Sequence, residues 1–141
     1  MDIDAVIFDW GGTLTPWHII DLKDQWLAYA QVYDPDNADD LATRLLHGEQ
    51  SRWSHQFNTQ GATGTGALEA MFIEQGVDTS SAQHHAGLAA YLEAWNPHTY
   101  TDAHAIPLLE ALRGQGIKTA VLSNTMWPRR HHEWVLERDG V

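Results

Sequence analysis

The sequence predicts an α/β fold: a partial parallel sheet with a block of helices inserted after its first strand. Three observations predict it. Two short runs rich in β-branched residues, I-D-A-V-I-F at 3–8 and I-K-T-A-V-L at 117–122, each end in turn residues. The long stretch between them repeats apolar residues at steps of three and four, the spacing of amphipathic helices. Parallel strands joined through helices imply a right-handed crossover, in a sheet that needs both faces covered.

Each element has a local reason. Residues 3–8 form a buried strand that runs into the glycine turn D-W-G-G-T. Thr15 as cap and Pro16 as first helical residue open a helix on which Ile19, Leu22, Trp26, Tyr29 and Tyr33 share a face. Asn37 caps a second helix, with Asp39 and Asp40 in its positive first turn and Leu41, Leu45 and Trp53 on its buried side. A loop, N-T-Q-G-A-T-G-T-G at 58–66, separates it from a short helix carrying Leu68, Met71 and Phe72 and closed by Gly76. Ser80 opens a fourth helix, with Leu88, Tyr91, Leu92 and Trp95 inward, stopped by Asn96-Pro97. A fifth, from Asp102 to Arg113 with Pro107 tolerated near its first turn, leads through Gly114 and Gly116 into the second strand. After Pro128 a last helix runs toward Arg138 and ends at Gly140. The expected division is a core at 1–15, a helical insert at 16–98 and core again at 99–141.

A parallel sheet of this kind needs about four or more strands, and the sequence stops at Val141, where a third is expected to begin. The expectation is a truncated α/β domain with an unpaired sheet edge, through which the chain can associate with itself.

Composition narrows the function classes. With 141 residues, 43% of them hydrophobic, the chain suits one core. A net charge of −11 argues against nucleic acid and anionic membrane surfaces and in favour of cations and small molecules. The absence of cysteine excludes disulfides, zinc-thiolate sites and a catalytic thiol. Met1-Asp2-Ile3-Asp4 has no basic leader region, and no apolar run approaches the ~18 residues of a membrane span. The chain is expected to be cytoplasmic.

The chemistry concentrates at two strand ends. V-I-F-D-W-G-G-T-L-T sets Asp9 at the carboxyl end of the first strand, where ligands of open α/β sheets bind. The Gly11-Gly12-Thr13 turn can aim backbone N–H groups at an anion, and a carboxylate beside such a nest can act as a nucleophile. The bland alternative is an Asp that only caps a glycine turn. The second strand changes the balance, because Ser123-Asn124-Thr125 brings a hydroxyl and fresh backbone donors to the neighbouring strand end.

On these residues the chain resembles the haloacid dehalogenase superfamily, with Asp9 in its first motif and Ser123 in its second. The approach A-L-R-G-Q-G-I-K-T-A-V-L-S-N-T is typical of that second motif. The resemblance implies a partial Rossmann-like core, an inserted α-helical cap at 16–98, and magnesium-dependent hydrolysis of a small phosphorylated or otherwise anionic substrate. It makes Asp9 the nucleophile and a magnesium ligand, and the Gly11 backbone carbonyl a second ligand. Gly12, Thr13, Ser123 and Asn124 would bind the phosphoryl group, which is where phosphoryl transfer gains most of its acceleration.

Two departures bear on the activity. The phosphatases of the family carry a general acid two residues after the nucleophile, where this chain has Gly11; losing such help forfeits ~10²–10⁴ in rate. D-W-x-G-T also resembles phosphonoacetaldehyde hydrolases, which use a lysine of the cap as a Schiff base. Lys23 is the only lysine of the insert, and a solvated helix residue is its simpler reading. The family's later lysine and acidic cluster have no counterpart here: Lys118 lies inside the second strand, and after Ser123 there is no lysine and one aspartate, Asp139. The 141 residues alone are therefore expected to be inactive. Cleavage of a carbon–phosphorus or carbon–halogen bond by the same nucleophile, and a non-catalytic binding domain, are the alternatives.

Three further features invite a role. The pairs His84-His85 and His131-His132 point about 100° apart on a helix, so neither pair chelates. His18 is the best replacement proton donor, against its simpler reading as an exposed residue of a first helical turn. Trp10 either lines the pocket or packs beneath the insert.

Overall fold

A computed structural model describes residues 3–58 and 67–141, with the backbone alone at 54–58 and 67. From residue 59 onward, the loop expected at 58–66 lies outside the described residues. The chain divides into two compact units, Met1–Ile19 with Pro97–Val141, and Ile20–Asn96.

The first unit is α/β. Strands β1 (Ala5–Phe8) and β2 (Lys118–Val121) pair in parallel, in a register running from Ala5 opposite Lys118 to Phe8 opposite Val121. Helices α5 (Ala105–Gly114) and α6 (Arg129–Arg138), the last two in chain order of the six α-helices among the described residues, belong to this unit. Gly116 ends α5: at φ +75° its N–H reaches the Arg113 carbonyl and Ile117 reaches Leu112, both at 3.0 Å, which turns the chain into β2. Pro107 sits in the first turn of α5, where its missing N–H costs nothing.

The strands were expected to be buried, and they are not. Side chains alternate across a strand. Phe8 packs on a core of Trp10, Leu14, Ala105, Leu109 and Val135, completed by Leu136 and Val141. The opposite face is bare: Ile3, Ile7 and Leu122 are each more than 60% exposed. The helices of this unit supply apolar surface to one side of the sheet. Trp10 is buried in this core.

The second unit holds α1 (Leu22–Tyr33), α2 (Ala38–Asn58), α3 (Ala67–Glu74) and α4 (Ala82–Trp95), with α1 against α2 and α4, and α2 against α3. Its core is aromatic. Trp26 stacks on Tyr91 with ring centroids 4.4 Å apart, and Phe72 lies 4.7 Å from the ring of Tyr29. Leu41, Leu45 and Met71 are buried with them, while Leu22, Tyr33, Trp53, Leu88, Leu92 and Trp95 are half-buried. Gly87 lets α4 approach α1 closely, since a Cβ there would lie 3.0 Å from the Tyr29 ring.

Two helix starts differ from expectation, in each case because another side chain takes the capping role. Thr15 and Pro16 do not open α1. The Thr15 hydroxyl is held by the Trp10 carbonyl at 3.3 Å, and Asp21 caps α1 by accepting from the Lys23 N–H at 2.8 Å. Ile19 therefore lies outside the helix and is fully exposed. The Asn37 side-chain amide donates to the Asp34 carboxylate at 3.1 and 3.2 Å. Ser81 caps α4, accepting from the His84 N–H at 3.1 Å, while the Ser80 hydroxyl donates to Asp78 at 2.6 Å. Among the described residues, no helix is long and apolar enough to cross a membrane.

Candidate active site

Asp9 is the first residue beyond β1, and the Leu122 N–H just beyond β2 donates to the Phe8 carbonyl at 2.9 Å. Because Phe8 and Val121 are register partners, Asp9 and Ser123 leave the sheet at the same edge. Asp9 and Asn124 are exposed and Ser123 is half-buried.

The turn after Asp9 is built on one carbonyl. The oxygen of Trp10 accepts from the N–H groups of Thr13, Leu14 and Thr15 at 3.2, 2.9 and 3.1 Å. Gly12 takes φ +74°, and a Cβ there would lie 2.9 Å from Trp17 Cε3, so both backbone conformation and space require glycine. The Thr13 hydroxyl donates to Asp9 Oδ2 at 3.4 Å.

This geometry modifies the expected anion nest. The Gly12 N–H donates to Thr15 Oγ1 at 3.4 Å and the Thr13 N–H to Trp10, so both donors are engaged inside the turn. Both bonds are long, which leaves an incoming anion able to compete for them.

Gly11 stands apart from its neighbour. Its φ is not left-handed, and a Cβ would meet nothing within 4 Å. As metal ligands, the Asp9 carboxylate and the Gly11 carbonyl are a partial set. Among the described residues no group of three or more His, Asp or Glu gathers. Magnesium takes octahedral oxygen ligands and keeps several waters, so these two groups alone do not form a protein cage for it.

The second loop has a support that the sequence reading missed. Thr125 Oγ1 accepts from the Trp127 N–H at 3.0 Å and lies 3.1 Å from His132 Nε2. The His132 ring meets the Trp10 indole edge to face, 5.2 Å between centroids. Neighbouring His131 is buried against Trp127 and Trp134. Burial pushes the His131 pKa down to about 4, helped by His132 and Arg138, and burial lowers that of His132. Both rings are neutral at neutral pH. A histidine one turn into the helix after the second motif was the available signal; its partners, in other segments, were not.

Other candidates fall elsewhere. His18 is not on a helix: its Nδ1 lies 3.5 Å from His98 Nδ1, and its Nε2 lies 3.4 Å from the Tyr100 hydroxyl. Lys23 pairs with Asp39 at 2.7 Å. Asp139 holds Arg138 at 2.8 Å and accepts from the Thr101 N–H at 2.6 Å, which ties the end of α6 to the segment before α5. Lys118 is inside β2 and exposed. His84 is buried with its Nδ1 2.8 Å from the Tyr29 hydroxyl, a core contact, while His85 is exposed.

A family model for haloacid dehalogenase-like hydrolases matches residues 3–136. The chain belongs to this family. Searches of curated proteins and of solved structures gave no match. As a haloacid dehalogenase-like hydrolase, the chain contains its family's match from the first residues of β1 through most of α6, so both strand ends that carry Asp9 and Ser123 lie within it.

Proposed function

We propose that this hydrolase acts on a phosphate ester of a small metabolite through Asp9. A carboxylate oxygen of Asp9 attacks phosphorus, the ester P–O bond breaks, and the leaving oxygen takes a proton from solvent. Water then attacks the aspartyl phosphate, releasing inorganic phosphate and restoring the carboxylate. Ser123 donates to a phosphoryl oxygen, together with the Asn124 N–H, and this stabilises charge as it develops. The observation that carries the reading is the shared sheet edge of Asp9 and Ser123, set by the pairing of Phe8 with Val121.

Magnesium dependence belongs to the proposal through the Asp9 carboxylate and the Gly11 carbonyl; bound there, the cation would offset phosphoryl charge. Lys23, in its ion pair with Asp39, gives no support to Schiff-base cleavage of a carbon–phosphorus bond. The inward N–H groups of Gly12 and Thr13 favour the second reading, a binding domain without catalysis.

Residues 124–141 contain no lysine, so the 141-residue chain alone is expected to turn over no phosphate ester. The test compares aryl and alkyl phosphates with magnesium present, in a chain that also supplies the family's lysine and acidic cluster. Aryl phosphates are expected to react faster, because Gly11 protonates no leaving group, and Asp9→Asn is expected to abolish turnover. Full activity in Asp9→Asn would reject the nucleophile assignment.

A further inference from the structure

His132 touches both halves of the candidate site without belonging to either motif. Its ring packs on the indole of Trp10, the residue after Asp9, with centroids 5.2 Å apart. Its Nε2 lies 3.1 Å from the hydroxyl of Thr125, two residues after Ser123. Both contacts lead to backbone that carries chemistry. The Trp10 carbonyl gathers the N–H groups of Thr13, Leu14 and Thr15, and Thr125 Oγ1 accepts the N–H of Trp127.

The hydrogen-bond inventory of the ring fixes its role further. His132 Nδ1 is buried without a partner. A neutral imidazole has one N–H and one lone pair, and a buried unpaired N–H is the rarer and costlier orphan. The proton therefore belongs on Nε2, donating to Thr125 Oγ1, with the bare lone pair left on Nδ1. Burial, which lowers the affinity of this ring for a second proton, keeps it in that neutral form. Thr125 Oγ1 then accepts two hydrogen bonds, from Trp127 and from His132, and is held from two directions.

The geometry points to His132 as a positioning residue that fixes the Ser123–Thr125 segment against the turn after Asp9. It acts through Thr125 and Trp10 and touches no substrate. The inference rests on the reading of Ser123 and Asn124 as anion-binding groups, and deepens it by naming what holds them in place.

Three substitutions separate its two contacts. His132→Phe keeps a ring against Trp10 and removes the donor to Thr125. His132→Gln keeps a side-chain N–H donor of similar reach. Thr125→Val removes the acceptor. Amide hydrogen exchange at Trp127 and the amide shifts of Ser123 and Asn124, followed by NMR in the 141-residue chain, report the position of the segment. Binding of inorganic phosphate with magnesium reports its use.

In His132→Phe, exchange at Trp127 is expected to rise and phosphate binding to weaken, each by about fivefold, the scale of one neutral hydrogen bond. His132→Gln is expected to stay within about twofold of the parent on the same scale. Thr125→Val also removes the acceptor of the Trp127 N–H and should do more damage than His132→Phe; adding His132→Phe to it should change nothing further, since the bond that His132 makes is already gone. Unchanged exchange in His132→Phe, equal damage in His132→Gln, or additive effects in the double variant would overturn the inference. Faster exchange in His132→Phe, restored in His132→Gln, with no phosphate bound by any variant, would leave the positioning role standing and count against the hydrolase reading.

Discussion

The indole N–H of Trp26 donates to Glu49 Oε2 at 2.7 Å, and both residues are more than 90% buried in the helical unit. Trp53 adds a longer bond of 3.4 Å to the other carboxylate oxygen. Burial raises the Glu49 pKa, and these two bonds offset only part of the rise. An acid whose folded pKa lies above its unfolded value contributes stability that is fully present below the unfolded value and lost as pH rises through the folded one.

Glu49→Gln keeps an acceptor for Trp26 without the charge. Its melting temperature is expected to exceed that of the parent at pH 7 and above, with the difference closing as pH falls toward the ordinary carboxylate value. Glu49→Leu leaves the indole N–H without an acceptor and should cost about 1–3 kcal/mol. Thermal melts of the three chains across pH 4–8 check this; a glutamine variant that is less stable than the parent at pH 8 would contradict it.

His131 gives the α/β unit the opposite dependence. Its pKa, pushed down to about 4 mainly by burial, lies below the unfolded value. Stability from the neutral ring is therefore present above about 6.5 and lost as pH falls through about 4. Urea unfolding at pH 7 and pH 4.5 is expected to show a clear loss in the parent and a smaller one in His131→Phe. An equal loss in both would place the acid sensitivity on other groups.

Adjacent glycines in the turn after Asp9 should respond differently. Gly12→Ala puts a Cβ at φ +74° and 2.9 Å from Trp17 Cε3. It is expected to cost about 1–2 kcal/mol from the backbone alone, and to disturb the Thr13 bond to Asp9. Gly11→Asp meets open space at an ordinary φ. It should fold normally and, in an active chain, narrow the preference for aryl over alkyl phosphates by restoring a proton donor. Melting curves and the two hydrolysis rates check the pair, and a Gly11→Asp variant as unstable as Gly12→Ala would refute the distinction.

Much of the site was legible because its signals are local. A β-branched run followed by D-W-G-G-T identifies a strand end and a turn without reference to anything distant. I-K-T-A-V-L-S-N-T does the same at the second strand, and parallel pairing with Phe8 opposite Val121 then sets Asp9 and Ser123 at one edge. The helical periodicity between the strands placed Trp26, Tyr29, Leu41, Leu45, Phe72 and Tyr91 in a core, because packing selects the apolar face whatever the exact cap. Helix starts were less legible. At residues 15–21 and 80–81, two polar side chains within a few positions can each cap, and the one that wins depends on what else the other bonds to.

By itself the sequence determined the α/β order, the two strands and the residues at their carboxyl ends, since each depends on neighbours in the chain. Tertiary structure decided which face of the strands is covered, because burial of Phe8 and exposure of Ile7 depend on where α5, α6 and Trp10 pack. It also decided that the Gly12 and Thr13 N–H groups bond within their turn, and that His132 joins Trp10 to Thr125. Residues 10, 125 and 132 are brought together by the packing of α6 beside the sheet, and no periodicity or spacing in the chain encodes a contact that only such packing creates.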